Sequence, residues 1–151
     1  MSILETMLKV DEGLKLSAYT DTMGNKTIGY GHKITPDDNL PMFISQEQAD
    51  NLLGQDIDNA IHGVLNALPW VSDLDEVRQA VLYNMAFNLG IHGLLAFRHT
   101  LKSVQAGDYQ EAATNMMQSR WYNQVGIRAK KLSAIMNSGI MPEDYANFNP
   151  Q

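Results

Sequence analysis

Glu12, Asp21 and Thr27 fall within one short stretch, DEGLKLSAYTDTMGNKTIGYGH, at residues 11–32. Their types suit a division of labour in which one carboxylic acid protonates a leaving oxygen while a carboxylate and a hydroxyl hold a water molecule. Glycoside hydrolysis commonly uses such a pair, with one carboxyl kept protonated and the other ionised. Acids at this spacing are common, so the weight of the idea rests on the environments the chain builds around them.

Glu12 sits where a helix must end. Ile3, Leu4, Met7, Leu8 and Val10 recur near helical spacing, and Gly13 is a natural stop. The negative end of a helix disfavours an ionised carboxylate, the direction a general acid needs. An exposed acid without a role fits the same pattern equally well. From Leu16 to Ile34 the chain changes to Tyr, Thr and Ile between turn formers, and Gly24 with Asn25 supplies a hairpin turn. A three-residue loop at 23–25 would pair Thr22 with Lys26 and Asp21 with Thr27, and cross-strand partners share one face. Asp21 and Thr27 would then hold one water between them. Gly29 and Gly31 leave room for close approach by a ligand, or serve as bulge glycines.

The elements that would position this stretch are helical. Ser45 and Gln48 form a capping box before a 3.6-period apolar pattern, Ala49 to Leu65, that predicts a helix over about 46–66. Asp56 lies at the edge of its apolar stripe and needs a partner, for which His32 is the candidate. Beyond Pro69, Ser72 with Asp75 caps a segment whose inner face holds Val77, Ala80, Val81, Asn84, Met85 and Asn88 and closes at Gly90. The two asparagines are either buried anchors or groove-lining groups. Helical pieces follow around 92–105, from Asp108 through Met117, and over 126–136, and the tail from Met141 reads as irregular.

Composition narrows the function. The chain of 151 residues has the size of one domain, with 44% apolar and 19% charged residues and no cysteine, so disulfides, thiolate metal sites and cysteine nucleophiles are excluded. His32, His62, His92 and His99 show no metal-ligand spacing, and neither a metal nor a cofactor is expected. No phosphate loop, nucleophile elbow or nucleic-acid module is visible, and the net charge of -6 argues against a nucleic-acid partner. That charge is uneven: Arg98, Lys102, Arg120, Arg128, Lys130 and Lys131 face only Asp108 and Glu111 between residues 98 and 131. The expectation is a basic surface there able to attract an anionic polymer, or a solvated helix face. The first residues are interrupted by Glu5, Lys9, Asp11 and Glu12 and lack a signal peptide's apolar core, and no segment approaches a membrane span. The expectation is synthesis in the cytoplasm and no membrane insertion.

Glu12, Asp21 and Thr27 followed by IGYGH resemble the Glu, Asp, Thr signature of glycoside hydrolase family 24, the phage lysozymes. The segments MLKVDEGLKLSAYTDT, QDIDNAI, EVRQAVLYNMAFNLG, EAATNMMQSRWYNQ and RAKKL also fall in family order. The resemblance implies a mostly helical α+β, lysozyme-like fold in a single domain over 1–151. A small β-hairpin lobe at about 13–45 would be joined by the helix at 46–66 to a helical lobe made of 67–151 plus 1–12. It implies a muramidase that cuts the β-1,4 bond between N-acetylmuramic acid and N-acetylglucosamine with inversion. Glu12 would be the general acid, and Asp21 and Thr27 would direct water across a gap of ~6.5–9.5 Å between the carboxyls. Arg128 would contact Glu12, His32 and Asp56 would pair, Asn84 would support the site, and Lys33, Phe87, Thr100 and Asn115 would touch substrate. A non-catalytic peptidoglycan-binding module and a lytic transglycosylase are the alternatives, and keeping Asp21 and Thr27 argues for hydrolysis.

The implied setting is an endolysin, a monomer that binds peptidoglycan and accumulates in the host cytoplasm until holin lesions admit it to the periplasm. Lys33 stands where the family has an apolar residue, Thr100 where it has serine, and Asn88 where the related sequence has glutamine. The shorter connection from Lys33 to Ile44, with Pro36 and Pro41, implies a trimmed small lobe.

Overall fold

The computed structural model describes residues 1–148, and Pro150, part of the tail expected to be irregular, lies outside them. The first helix, α1 (Ile3–Glu12), begins with the Ser2 hydroxyl accepting from the Glu5 amide at 3.1 Å and is closed by Gly13 at φ 67°. A side chain is disfavoured at that angle, so the glycine sets the helix end and makes Glu12 its last residue. Leu4, Met7 and Leu8 form its buried stripe.

Three strands follow, β1 (Lys15–Thr20), β2 (Lys26–Gly29) and β3 (His32–Lys33), in one antiparallel sheet of order β1-β2-β3. Their register differs from the one expected. Tyr19 pairs with Thr27 and Thr20 with Lys26, so residues 21–25 form the loop and Asp21 lies in it, not opposite Thr27. The cause is the aspartate itself. Its Oδ1 accepts from the amides of Met23 at 2.9 Å and Asn25 at 2.8 Å, while its own amide donates to the Asn25 carbonyl at 2.9 Å. A side chain that captures amides two and four residues on closes the turn on itself and removes Asp21 from the ladder. The link from Lys33 to Ile44 carries a short 3-10 turn, Pro36–Asp38, and a single bridge between Ser17 and Phe43.

The long helix α2 (Gln46–Ala67) starts at the expected capping box, with Ser45 Oγ accepting from the Gln48 amide at 3.1 Å and Gln48 Oε1 from the Ser45 amide at 2.8 Å. It spans ~33 Å at 1.5 Å per residue and touches β2 and β3 as well as α3 (Glu76–Leu95). Residues Ala80 to Ala86 of α3 are all buried, the pattern of a helix surrounded on every side. Asp75 alone caps it, through the Arg78 amide at 3.0 Å, and Ser72 lies in a preceding 3-10 turn, Pro69–Asp73. Gly90, at φ 77°, interrupts the helix where the pattern closes, and a further helical turn runs on to Leu95.

The remaining helices are α4 (Arg98–Gln105), α5 (Tyr109–Met117), α6 (Arg120–Val125) and α7 (Ile127–Ser138). α5 packs on α4, α6 and α7, and α7 and α1 both lie against α3. The tail departs from expectation, because a 3-10 turn at Tyr145–Asn147 packs on α1 and buries Tyr145. The expected basic surface is also smaller than its residue count. Lys131 is buried and Arg128 half-buried on carboxylates of α1, leaving Arg98, Lys102, Arg120 and Lys130 exposed.

Candidate active site

Two neighbouring carboxylates at the end of α1 face different surroundings. Asp11 continues the stripe Leu4, Met7, Leu8 and its side chain is 1% exposed. Its Oδ2 accepts from Asn84 Nδ2 at 2.9 Å and from the Tyr145 hydroxyl at 2.6 Å, and Oδ1 lies 3.4 Å from Lys131 Nζ. Burial, then the Asp11 charge, push the Tyr145 hydroxyl far above its ordinary range, so it stays a donor. Glu12 turns outward. Arg128 Nη1 donates to its Oε1 at 2.6 Å, and the guanidinium is held in place by Asn84 Oδ1, which accepts from Nε at 3.1 Å and Nη2 at 2.9 Å.

Asn84 therefore joins Asp11 to Arg128 and serves as a buried anchor. Asn88 is a second anchor, accepting from Trp121 Nε1 at 2.7 Å. Across from Glu12 stands Gly31, at φ 71°, where a β-carbon would overlap the glutamate carboxyl. A glycine here lets the strand end approach the acid.

The hairpin links Asp21 and Thr27 through a shared acceptor instead of by pairing. The Asn25 carbonyl accepts from both the Asp21 amide, at 2.9 Å, and the Thr27 hydroxyl, also at 2.9 Å. Tyr19, the cross-strand partner of Thr27, lies within the field of both acids: burial first, then the charges of Glu12 and Asp21, raise its pKa. The charges of Glu12 and Asp21 thus both act on one phenol.

His32 pairs with Asp56 through Nδ1 at 2.7 Å and with Asp38, which sequence reasoning did not single out, through Nε2 at 2.9 Å. Both ring nitrogens face carboxylates, so both must donate, and the Asp56 hydrogen bond is the largest cause of a pKa raised to about 9. The imidazolium ties β3 to α2 and to the 3-10 turn at 36–38. Next to it a pocket of about 280 Å³ opens between the sheet and the helices, lined by Gly31, Lys33, Asn59, Phe87 and Ile91 among others. Of the residues expected to touch substrate, Lys33 and Phe87 line this pocket and Asn115 is half-buried on α5. Thr100, like Thr27, is 2% exposed, and it packs into the helical body. Its hydroxyl lies on the face of α4 that also buries Leu101 and Val104.

A mostly helical α+β fold with an acid at a helix end, an arginine on it and a hairpin carrying Asp and Thr beside it defines a glycoside hydrolase of the lysozyme kind. The phage lysozyme family model matches residues 9–137, and the chain belongs to that family. It is similar to the probable T4-type lysozyme 2 of Dictyostelium discoideum, at 30% identity over 95% of this chain and 98% of that protein. It is also similar to the endolysin of Acyrthosiphon pisum secondary endosymbiont phage 1, at 34% identity over 74% of this chain and 73% of that one. The pre-baseplate central spike protein Gp5 of Enterobacteria phage T4 is 32% identical over 96% of this chain, which spans 29% of Gp5. The protein is a lysozyme with peptidoglycan as its substrate.

Asp11, Lys131, Tyr145, Tyr19 and Asp38 are the site residues that sequence reasoning missed. Asp11 had a signal, since it stands i+3 and i+4 from Leu8 and Met7, and the logic that flagged Asp56 applies to it. Tyr19 followed from the true hairpin register. Tyr145 had no local signal, because its partner lies 134 residues away.

Proposed function

We propose that this lysozyme hydrolyses the β-1,4 bond between N-acetylmuramic acid and N-acetylglucosamine with inversion, Glu12 acting as general acid and Asp21 with Thr27 directing the attacking water. The observation that supports the reading is the clamp on Glu12, the last residue of α1, whose Oε1 accepts from Arg128 at 2.6 Å, in a chain whose hairpin ties Asp21 and Thr27 to one acceptor, the Asn25 carbonyl. When the acid gives its proton to the leaving oxygen, a carboxylate develops 2.6 Å from a guanidinium already fixed by Asn84. That preorganised cation lowers the barrier to proton transfer. In the hairpin Asp21 keeps Oδ2 less engaged than Oδ1, with the Asn25 amide group at 3.5 Å, so it has lone pairs free for water. The Thr27 hydroxyl oxygen, donating its proton to the Asn25 carbonyl, can accept one from the same water.

In a phage setting this chemistry makes the protein a monomeric endolysin that releases progeny by lysing the host, waiting in the cytoplasm until holin lesions admit it to the periplasm. No single described helix is long and apolar enough to cross a membrane. The glycan would lie in the cleft between sheet and helical body, which places residues 13–45 and 67–148 plus 1–12 on its two sides. Mass spectrometry of digested wall tests the chemistry, with products carrying an added water expected and anhydro-muramic ends assigning the reaction to a transglycosylase. Proton NMR of fresh product tests the stereochemistry: the α anomer is expected, and an initial β anomer would contradict inversion.

A further inference from the structure

The cations of this protein fall into two groups, and one residue belongs to neither. Lys9 pairs with Glu5 and Asp50, Arg78 with Asp75, Arg128 with Asp11 and Glu12, and Lys131 with Asp11. Lys15, Lys26, Arg98, Lys102, Arg120 and Lys130 are exposed to water and make no salt bridge among the described residues. Lys33 is half-buried and, among the described residues, makes no salt bridge. Withdrawing a charge from water without a counter-ion is unfavourable. Asp56, the carboxylate that lines the pocket with Lys33, is engaged by His32, as is Asp38.

The ammonium of Lys33 donates to the Asn88 carbonyl at 2.9 Å, just before the break of α3 at Gly90. A lysine carries three donors, so this contact steers the ammonium without exhausting it. The place of Lys33 in the sheet is beside the proposed catalytic residues. Lys33 pairs with Thr27, which pairs with Tyr19, so the three share one face of the sheet. Lys33 also lines the 280 Å³ pocket with Gly31, the residue pressed against Glu12.

We infer that Lys33 is the specificity residue of the cleft, its ammonium binding a carboxylate carried by the lactyl-peptide arm of the muramic acid unit. The inference rests on the hydrolytic reading above and adds the charge that the substrate must carry. A polymer of N-acetylglucosamine alone is neutral, whereas every muramic acid bears a carboxyl group on its lactyl arm or on the peptide attached there. A pre-placed cation lacking a counter-ion supplies discrimination between the two.

The test compares the parent with Lys33→Met and Lys33→Arg on three soluble glycan preparations: strands with their peptides, strands stripped by an amidase to free the lactyl carboxylate, and strands whose carboxyls are all converted to methylamides. On carboxylate-bearing strands Lys33→Met should raise KM about tenfold with kcat unchanged, and Lys33→Arg should restore it. On methylamide strands the parent should fall to the level of Lys33→Met. Loss on stripped strands alone assigns the lactyl carboxylate, loss on peptide-bearing strands alone assigns a carboxylate of the peptide, and loss on both assigns a site that accepts either carboxylate of that arm. Equal KM for parent and Lys33→Met on every substrate, or an equal loss on methylamide strands, overturns the inference. A Glu12→Gln control separates the failures: cleavage independent of Glu12 removes the hydrolytic reading and this inference with it, while Glu12-dependent cleavage blind to carboxylates removes only the inference.

Discussion

The two sides of the active site are held in opposite ways. Glu12 is fixed from the interior by groups from α3, α7 and the C-terminal turn, through Asn84, Arg128, Lys131 and Tyr145 acting on it or on its neighbour Asp11. Asp21 and Thr27 are fixed locally, by backbone groups of Met23 and Asn25 within one turn. The acid must deliver its proton from a defined point and keep company with a cation, which needs a dry, cross-linked setting. On the proposed reading the water-directing side exchanges its water at every turnover; there Asp21 is half-buried in its turn and Thr27 is buried in β2, both held by short-range bonds. Stability should therefore depend heavily on the first side and weakly on the second, although activity depends on both.

Asp11→Ala should show the largest effect on stability. It strands Lys131 and the Tyr145 hydroxyl and removes the second carboxylate beside Arg128, all inside the protein, at a cost of ~3–5 kcal/mol. Urea unfolding reads this directly, and a loss below about 1 kcal/mol would place the network among the weak surface pairs. Gly31→Ala comes next. A β-carbon there displaces the Glu12 carboxyl and meets φ 71°, so activity should drop about a hundredfold, the scale of a misplaced reacting group. Normal activity would mean that Glu12 tolerates movement and the interior clamp is unnecessary.

His32→Gln should cost ~1–3 kcal/mol near pH 6, and its effect should fade with rising pH. Because the folded pKa of His32 is raised to about 9, the stabilisation is complete below the unfolded value of ~6.5 and is lost as pH climbs through about 9. Unfolding midpoints from pH 6 to 10 should fall for the parent and stay flatter for the variant, and parallel curves would refute the linkage. The Asp38 carboxyl works in the opposite sense. Its pKa is lowered, chiefly by the Thr35 amide, so its contribution is lost as pH falls through the acid range. Asp21→Asn should be the mildest for stability, under ~1 kcal/mol, because an amide oxygen still accepts from the turn amides, while wall-cutting activity is lost. A larger loss of stability would erase the contrast between the two sides.

Legibility in the sequence follows the same divide. Helix ends written in local chemistry were readable: Gly13 after Glu12, the Ser45 and Gln48 box, and Gly90. A carboxylate on an apolar stripe announced that it needed a partner, as Asp56 did. The hairpin register was misread because Asp21 closes its own turn with its side chain, and β-propensity does not encode that choice. The buried network around Asp11 was invisible as a network, since its members are brought together by tertiary packing over separations such as 73 and 134 residues. The expected basic surface failed for the same reason, because two of its cations are spent on the carboxylates of α1.

The most direct test of the account is clearing of outer-membrane-stripped Gram-negative cell walls, followed by turbidity, for the parent and for Glu12→Gln. Clearing is predicted for the parent and a rate lower by ~10²–10⁴-fold for the variant, with both proteins folded at the assay temperature by circular dichroism. Equal clearing by an intact Glu12→Gln protein would contradict it and remove Glu12 as the proton donor.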